Sequence, residues 1–228
     1  MSLHRPSVSV VIPTLNEEHR LLALLDDLVS ERPDEIIVAD GNSTDRTAGI
    51  AAPRARVVTV APNRGAQMNA GAAITTGDVL LFLHADVRLN GGAIEALRRT
   101  MCAPEVIGGN FDVRYDGGGF AAALFTEMNR WRRRLGVFYG DSGIFCRRSI
   151  FAALGGYQPW PVLEDYEFAR RLRKRGKLAL LREPIWVSSR RWRKGGLWRT
   201  VWRWFSIQTL YLAGVSPHRL AGNYRHIR

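Results

Sequence analysis

The stretch DVLLFLHAD, residues 78–86, decides how the chain is read. Leu80 to Leu83 form a run of four apolar residues, short enough for a strand and apolar enough to be buried on both faces. The run delivers His84 and Asp86, an imidazole and a carboxylate two positions apart, to a polar turn. In open α/β sheets ligands gather beyond the carboxyl ends of the strands, so a core strand ending on titratable side chains points to a site.

Toward the N-terminus the same layout repeats. VSVVI (8–12), EIIVAD (35–40) and ARVVTV (55–60) are short β-branched runs that predict strands. After the first, Asn16 is placed to cap a helix, with Glu17 and Glu18 in its favourable first turn. Leu21, Leu24, Leu25 and Leu28 then fall on one core-facing stripe. STDRTAGIAA (43–52) reads as a turn entering a helix, and the glycine- and alanine-rich RGAQMNAGAAITTG (64–77) follows the third strand. Strands alternating with helices predict an α/β fold with a mostly parallel sheet flanked by helices. A polar cluster follows each strand: Thr14, Asn16 and Glu17; Asp40, Asn42 and Ser43; Asn63 and Arg64; His84 and Asp86. One aspartate after a strand is usually a turn or helix cap, which suffices for Asp45; four clusters on one rim are less easily dismissed.

Toward the C-terminus, VIGGNFDVRY (106–115) predicts a strand and FAAALFTEMNRWRRR (120–134) a helix ending in a basic cluster. YGDSGIFCRRSIFAALGGY (139–157) reads as a loop, a short strand and a helix stopped by Gly155 and Gly156. VLEDYEFARRLRKRGK (162–177) carries acids at its start and bases at its end, matching a helix dipole. GLWRTVWRWFSIQTLYLAG (196–214) is a further helix, polar mainly along Arg199, Arg203 and Ser206. With no low-complexity linker and no internal repeat, residues 1–228 are expected to form a single domain.

Charge divides the chain. Residues 1–119 hold 11 basic and 15 acidic side chains, and residues 120–228 hold 22 and 6, net charges of −4 and +16. All seven tryptophans lie in the basic part. Such a half attracts phosphates, acidic membranes or nucleic acid, or is a solvated arginine-rich surface. Cys102 and Cys146 lack metal-ligand spacing and are expected to be two buried free thiols, which suits a reducing compartment. The N-terminus lacks the apolar core of a signal peptide, and no window reaches the roughly 18 apolar residues of a membrane span.

In order, VVIPTLNEE, ADGNSTDRT, NRGAQMNAG, LFLHAD, YGDSGIFCRRSIFAALGGY and LEDYEFARRL resemble the motifs of family 2 glycosyltransferases with the Rossmann-like GT-A fold. The pattern is similar to a subgroup of small stand-alone bacterial members and spans roughly residues 7 to 220. The resemblance implies a nucleotide-diphosphate sugar donor, such as a UDP- or GDP-sugar, in a 1–119 half, and a hydroxyl acceptor, a lipid or lipid-linked molecule among the candidates, against the basic 120–228 half. Thr14, Glu17, Asp40, Arg64, Asn69 and His84 would line the nucleotide side. Asp86 would hold a divalent metal, Mg²⁺ or Mn²⁺, against the diphosphate; His84 stands where the family has the first aspartate of Asp-x-Asp. Transfer in the family inverts the anomeric centre, and Asp165 would be the catalytic base, with Glu164 orienting the acceptor or Asp165. Asp141, Arg191 and Trp192 would contact acceptor or diphosphate. SSRRW (188–192) resembles the Gln-x-x-Arg-Trp element of processive polymerases, but Ser188 replaces the glutamine, which argues for adding one sugar.

Trp198, Trp202 and Phe205 recur at helical spacing in the basic half, expected either to dock on anionic membrane or to face the core or a homodimer partner. The expected location is the cytoplasm, with peripheral contact at the inner face of the membrane. Two other readings stay open. A non-catalytic nucleic-acid-binding protein would use the +16 half but leaves the acidic rim unexplained, so no specific nucleic acid is expected. A sugar nucleotidyltransferase would need a glycine-rich basic loop where VVIPTLNEE stands.

Overall fold

The computed structural model describes residues 5–189 and 197–224. Strands β1 (Val8–Thr14), β2 (Glu35–Asp40), β3 (Arg56–Thr59) and β4 (Val79–Phe82) alternate with helices α1 (Leu21–Glu31), α2 (Thr47–Ala51) and α3 (Arg64–Ala73). There follow β5 (Val87–Leu89), α4 (Ala93–Met101), β6 (Val106–Tyr115), α5 (Gly119–Arg134), β7 (Ile144–Arg147), α6 (Arg148–Ala153), α7 (Glu164–Arg173), β8 (Lys177–Val187), α8 (Leu197–Leu212) and α9 (Pro217–Tyr224). Among the described residues these strands form one sheet in the order β3-β2-β1-β4-β7-β6-β8-β5. β3, β2, β1 and β4 run parallel, while β7 enters antiparallel between β4 and β6. The sheet is thus shared by the acidic and basic halves.

The period of two in the central strands explains the layering. Val8, Val10 and Ile12 of β1 and Val79 and Leu81 of β4 face one way, against Leu21, Leu24, Leu25 and Leu28 of α1. Val11, Leu80 and Phe82 face the other way, against Met68 of α3, Phe151 of α6 and Phe168 of α7. Each such side chain, fully buried, contributes about 1.5–3 kcal/mol. The central strands are apolar on both faces because both faces are covered.

Three expectations are corrected. Asn16 does not cap α1: it sits at φ 55°, and the helix starts at Leu21 with Arg20 at its N-cap. Asn16 instead joins two loops, its N–H donating to Ser43 Oγ (2.9 Å) and its Oδ1 accepting from Thr44 N (2.9 Å). Asparagine tolerates this left-handed backbone better than most residues. The fourth strand, expected over DVLLFLHAD (78–86), is confined to Val79–Phe82, and His84 and Asp86 follow it in the turn. Cys102 is exposed after α4, and only Cys146 is a buried thiol. β5, α4, β8 and α9 are present in addition to the elements expected from sequence.

Much of the arginine is committed to internal partners. Arg133 is buried and donates to Asp112 and to the carbonyls of Asn110 and Leu181, and Arg130 grips the same carboxylate. Arg147 and Arg171 donate to backbone carbonyls at Met101, Ala103, Leu154 and Gly156. These side chains hold elements together instead of forming a free cationic face.

Candidate active site

The parallel strands bring their carboxyl ends to one rim. Thr14 of β1 pairs in register with Asp40 of β2, and Asp40 with Thr59 of β3. The Asp40 carboxylate is buried, accepting from Thr14 Oγ1 (3.2 Å) and from Ser43 N (2.8 Å). Gln67, from α3, donates to the carbonyls of Thr14 (2.7 Å) and Ala39 (2.8 Å), clamping the ends of β1 and β2. Glu17 pairs with Arg20 (2.7 Å) in the turn before α1.

Asn63 starts α3: its Oδ1 accepts from Ala66 N (2.9 Å), a side-chain N-cap, and its Nδ2 donates to Pro159 O (3.1 Å). Asn69, farther along, donates to Tyr157 O and accepts from Tyr157 N, both at 2.8 Å. Gly65 lies so near Gln158 O that a Cβ would collide with that backbone oxygen, so only glycine permits the approach. These contacts fix α3 to the loop entering α7. At the α3 N-terminus Arg64 bonds to Glu164, the first residue of α7. Glu164 is buried, and burial raises its carboxyl pKa; Arg64 opposes the rise and the charge of Asp165 adds to it.

Asp165 is buried at 8% exposure, and its Oδ2 accepts from Gly140 N (2.8 Å). A Cβ at Gly140 would stand 2.7 Å from His84 Nε2 and 3.0 Å from Asp165 Oδ2. The imidazole after β4 and the carboxylate of α7 therefore flank one point of backbone. A cleft of ≈ 140 Å³ opens here, its polar wall including Arg64, His84, Asp86, Asp141 and Asp165. Leu163, also on the wall, has φ 63°, a conformation that costs a non-glycine residue about 1 kcal/mol or more and turns the chain sharply into α7.

Five of the residues singled out from sequence thus converge: Arg64, His84, Asp86, Asp141 and Asp165. Thr14, Glu17, Asp40, Asn69 and Glu164 are not in the cleft lining; Thr14 and Asp40 belong to the neighbouring rim, Asn69 buttresses the Tyr157 loop, and Glu164 holds Arg64. Arg191 and Trp192 lie outside the described residues. Residues missed from sequence complete the opposite wall: Tyr115, Arg132, Tyr139, Trp204 and Gln208. Tyr139 donates to Gln208 Oε1 (2.9 Å), stacks on Tyr166, and has Arg132 5.0 Å from its ring centroid. Burial pushes the Tyr139 hydroxyl pKa up to about 12, so it is a hydrogen-bond donor at neutral pH. Tyr139 directly precedes the quoted Gly140–Asp141, which was the available signal; Arg132 was hidden within a run of arginines.

Among the described residues no three His, Cys, Asp or Glu side chains group into a metal cage. The donor set is instead one carboxylate, Asp86, with His84, Asp141 and Asp165 on the same cleft. That fits a hard divalent cation, which commonly takes one or two protein carboxylates and completes its shell with substrate phosphate and water.

The model of the family described as "Glycosyl transferase family 2" matches residues 9–155. A PGL/p-HBAD biosynthesis glycosyltransferase of Mycobacterium bovis is 28% identical over 186 residues, covering 72% of this chain and 68% of its own. S. aureus TarS 1-349 in complex with UDP-GlcNAc superposes with TM-score 0.68 at 18% identity, over 80% of this chain and 58% of that one. The mannosyltransferase PcManGT from Pyrobaculum calidifontis, in complex with GDP-Man and Mn²⁺, gives TM-score 0.64 at 19% identity, over 91% of this chain and 62% of that one. The chain spans less than two thirds of either structure, and these two likenesses bear on the fold, which is GT-A.

Proposed function

The chain belongs to glycosyl transferase family 2, and on that footing we propose that it moves one sugar from a nucleoside-diphosphate donor to a hydroxyl acceptor with inversion. The observation that carries this reading is the meeting of Asp86 and Asp165, 79 positions apart in sequence, on one cleft. The donor diphosphate lies between Asp86 and Arg64, with the nucleoside toward Thr14, Glu17 and Asp40. A divalent cation bound at Asp86, Mn²⁺ or Mg²⁺, would offset the negative charge that develops on the departing diphosphate. Two solved proteins of the same fold bind UDP-GlcNAc and GDP-Man, the latter with Mn²⁺, which supports a nucleotide-sugar donor.

The acceptor enters along the wall of Tyr115, Tyr139 and Trp204, contributed mainly by the basic half. Its hydroxyl oxygen bonds to the anomeric carbon as the bond from that carbon to the diphosphate oxygen breaks. The hydroxyl proton passes to Asp165, whose Oδ2 is held by the Gly140 N–H. Glu164 acts one step away, by fixing Arg64. Asp141 and His84 orient acceptor and phosphate respectively.

A thermal-shift panel tests this reading. UDP-, GDP- and dTDP-sugars are each added with Mn²⁺, Mg²⁺ or chelator; one nucleotide should stabilise the protein in a metal-dependent way, and Asp86→Asn should lose the metal dependence. No stabilisation by any nucleotide sugar, with or without metal, would remove the proposal.

A further inference from the structure

Nine of the twelve large apolar side chains exposed among the described residues lie on two helices. Phe120, Leu124, Met128 and Trp131 of α5, with Leu135 at its C-cap, recur every three or four positions and make one stripe. The opposite side of α5 is already buried through Ala122, Phe125, Asn129 and Arg133. A solvent-facing helix is expected to be polar on its outer side, so this stripe calls for a cover. α8 carries the other four, led by Trp202 and Phe205, at 72% and 63% exposure with ring centroids 6.4 Å apart. The two helices pack on one another through Phe125 and Trp204, with centroids 5.8 Å apart.

Charge selects the occupant. Of the α5 arginines only Arg134, beside Trp131, is exposed; Arg132 turns to the cleft, and Arg130 and Arg133 are tied to Asp112. Residues 120–228 carry a net +16. Two copies of this face would set like charges together, whereas an anionic bilayer supplies opposite charge and an apolar interior. Exposed tryptophan beside arginine suits the headgroup level, where one end of the ring is dry and the other wet. Among the described residues no helix is long and apolar enough to cross a membrane, so the contact is peripheral.

We infer that α5 and α8 form a docking surface for anionic lipid bilayers. The same helices supply Arg132, Trp204, Ile207 and Gln208 to the cleft wall, so the docking surface and the cleft share two elements. An acceptor carried on lipid would suit this arrangement, and that clause rests on the proposed transfer reaction.

Flotation with vesicles tests the surface. At low salt the protein should float with phosphatidylglycerol–phosphatidylcholine vesicles and stay behind with phosphatidylcholine alone. Trp131→Ser combined with Trp202→Ser, both exposed positions outside the cleft lining, should cut the bound fraction by about tenfold while the melting temperature and the nucleotide-sugar stabilisation persist. A wild-type protein that ignores anionic vesicles, or a double variant that binds them equally well, overturns the inference. A wild-type dimer made monomeric by the double variant, without flotation, also overturns it and makes the face an interface between copies. Flotation without any nucleotide-sugar stabilisation supports the docking surface and removes the transfer reaction instead.

Discussion

A methyl group at position 140 would press on His84 Nε2 at 2.7 Å and on Asp165 Oδ2 at 3.0 Å. Gly140 is not in the left-handed region, so alanine is allowed there by the backbone and its effect comes through those two neighbours. Gly140→Ala should therefore lower kcat by about 100-fold with little loss of stability, since small displacements of a positioned group cost that much. Turnover assays beside thermal melts check it, and wild-type turnover would detach Asp165 and His84 from the chemistry. Glu164→Gln should act differently. With Arg64 no longer anchored by an ion pair, donor KM should rise more than kcat falls, and an unchanged donor KM would contradict the anchoring role. At this scale the sequence was informative where a polar residue followed an apolar strand, as with His84 and Asp86. It was uninformative where a side chain's partner is set by the fold and not by helical or strand spacing. Glu164 reads as a helix-dipole acid and Arg132 as surface charge, and only the fold shows one gripping Arg64 and the other lying over Tyr139.

At the scale of elements, β6 depends on a buried ion cluster. Burial works against ionising Asp112, but the hydrogen bonds and charges of Arg130, with Arg133 and Arg114, outweigh it and hold the carboxyl below its usual range. Asp112→Asn would strand buried Arg133, so urea unfolding should show a loss of about 3 kcal/mol, typical of a broken buried pair. A loss below about 1 kcal/mol would mean the pair is dispensable. Strands β1, β2 and β4 were legible because their apolar runs are bounded by polar turns. β8 was not, for a local reason: its pairing with β6 slips between Asn110 and Asp112, opposite Leu180 and Pro184. The Leu181–Arg182–Glu183 segment between them interrupts the alternation on which a strand is recognised. The three-residue β5 is too short to carry a pattern of its own.

For the molecule as a whole, acid is the sensitive direction. Asp34, Glu35 and Asp112 are all held below their ordinary values despite burial, by hydrogen bonds such as Val8 N to Asp34 and Ser9 Oγ to Glu35, and by arginine. A depressed carboxyl stabilises the fold above its unfolded pKa, and that stability is lost as pH falls through the folded value. Glu164, raised by burial, contributes with the opposite sign but is a single group. The urea midpoint should thus be level through neutral pH and drop below about pH 4; a midpoint that rises on acidification would contradict the balance of these groups. The sheet order makes the same point about integrity, since β7, from the basic half, sits between β4 and β6. Composition suggested two halves of opposite charge, and the fold weaves them into one sheet with the cleft at their seam.

The most direct test of the central claim compares Asp165→Asn with the wild-type protein, measuring nucleotide-sugar binding by calorimetry and sugar transfer in the same preparation. Binding within a few-fold of wild type, with transfer reduced by about 1,000-fold, is the result predicted for a general base. Transfer at the wild-type rate by a folded Asp165→Asn protein would contradict the account.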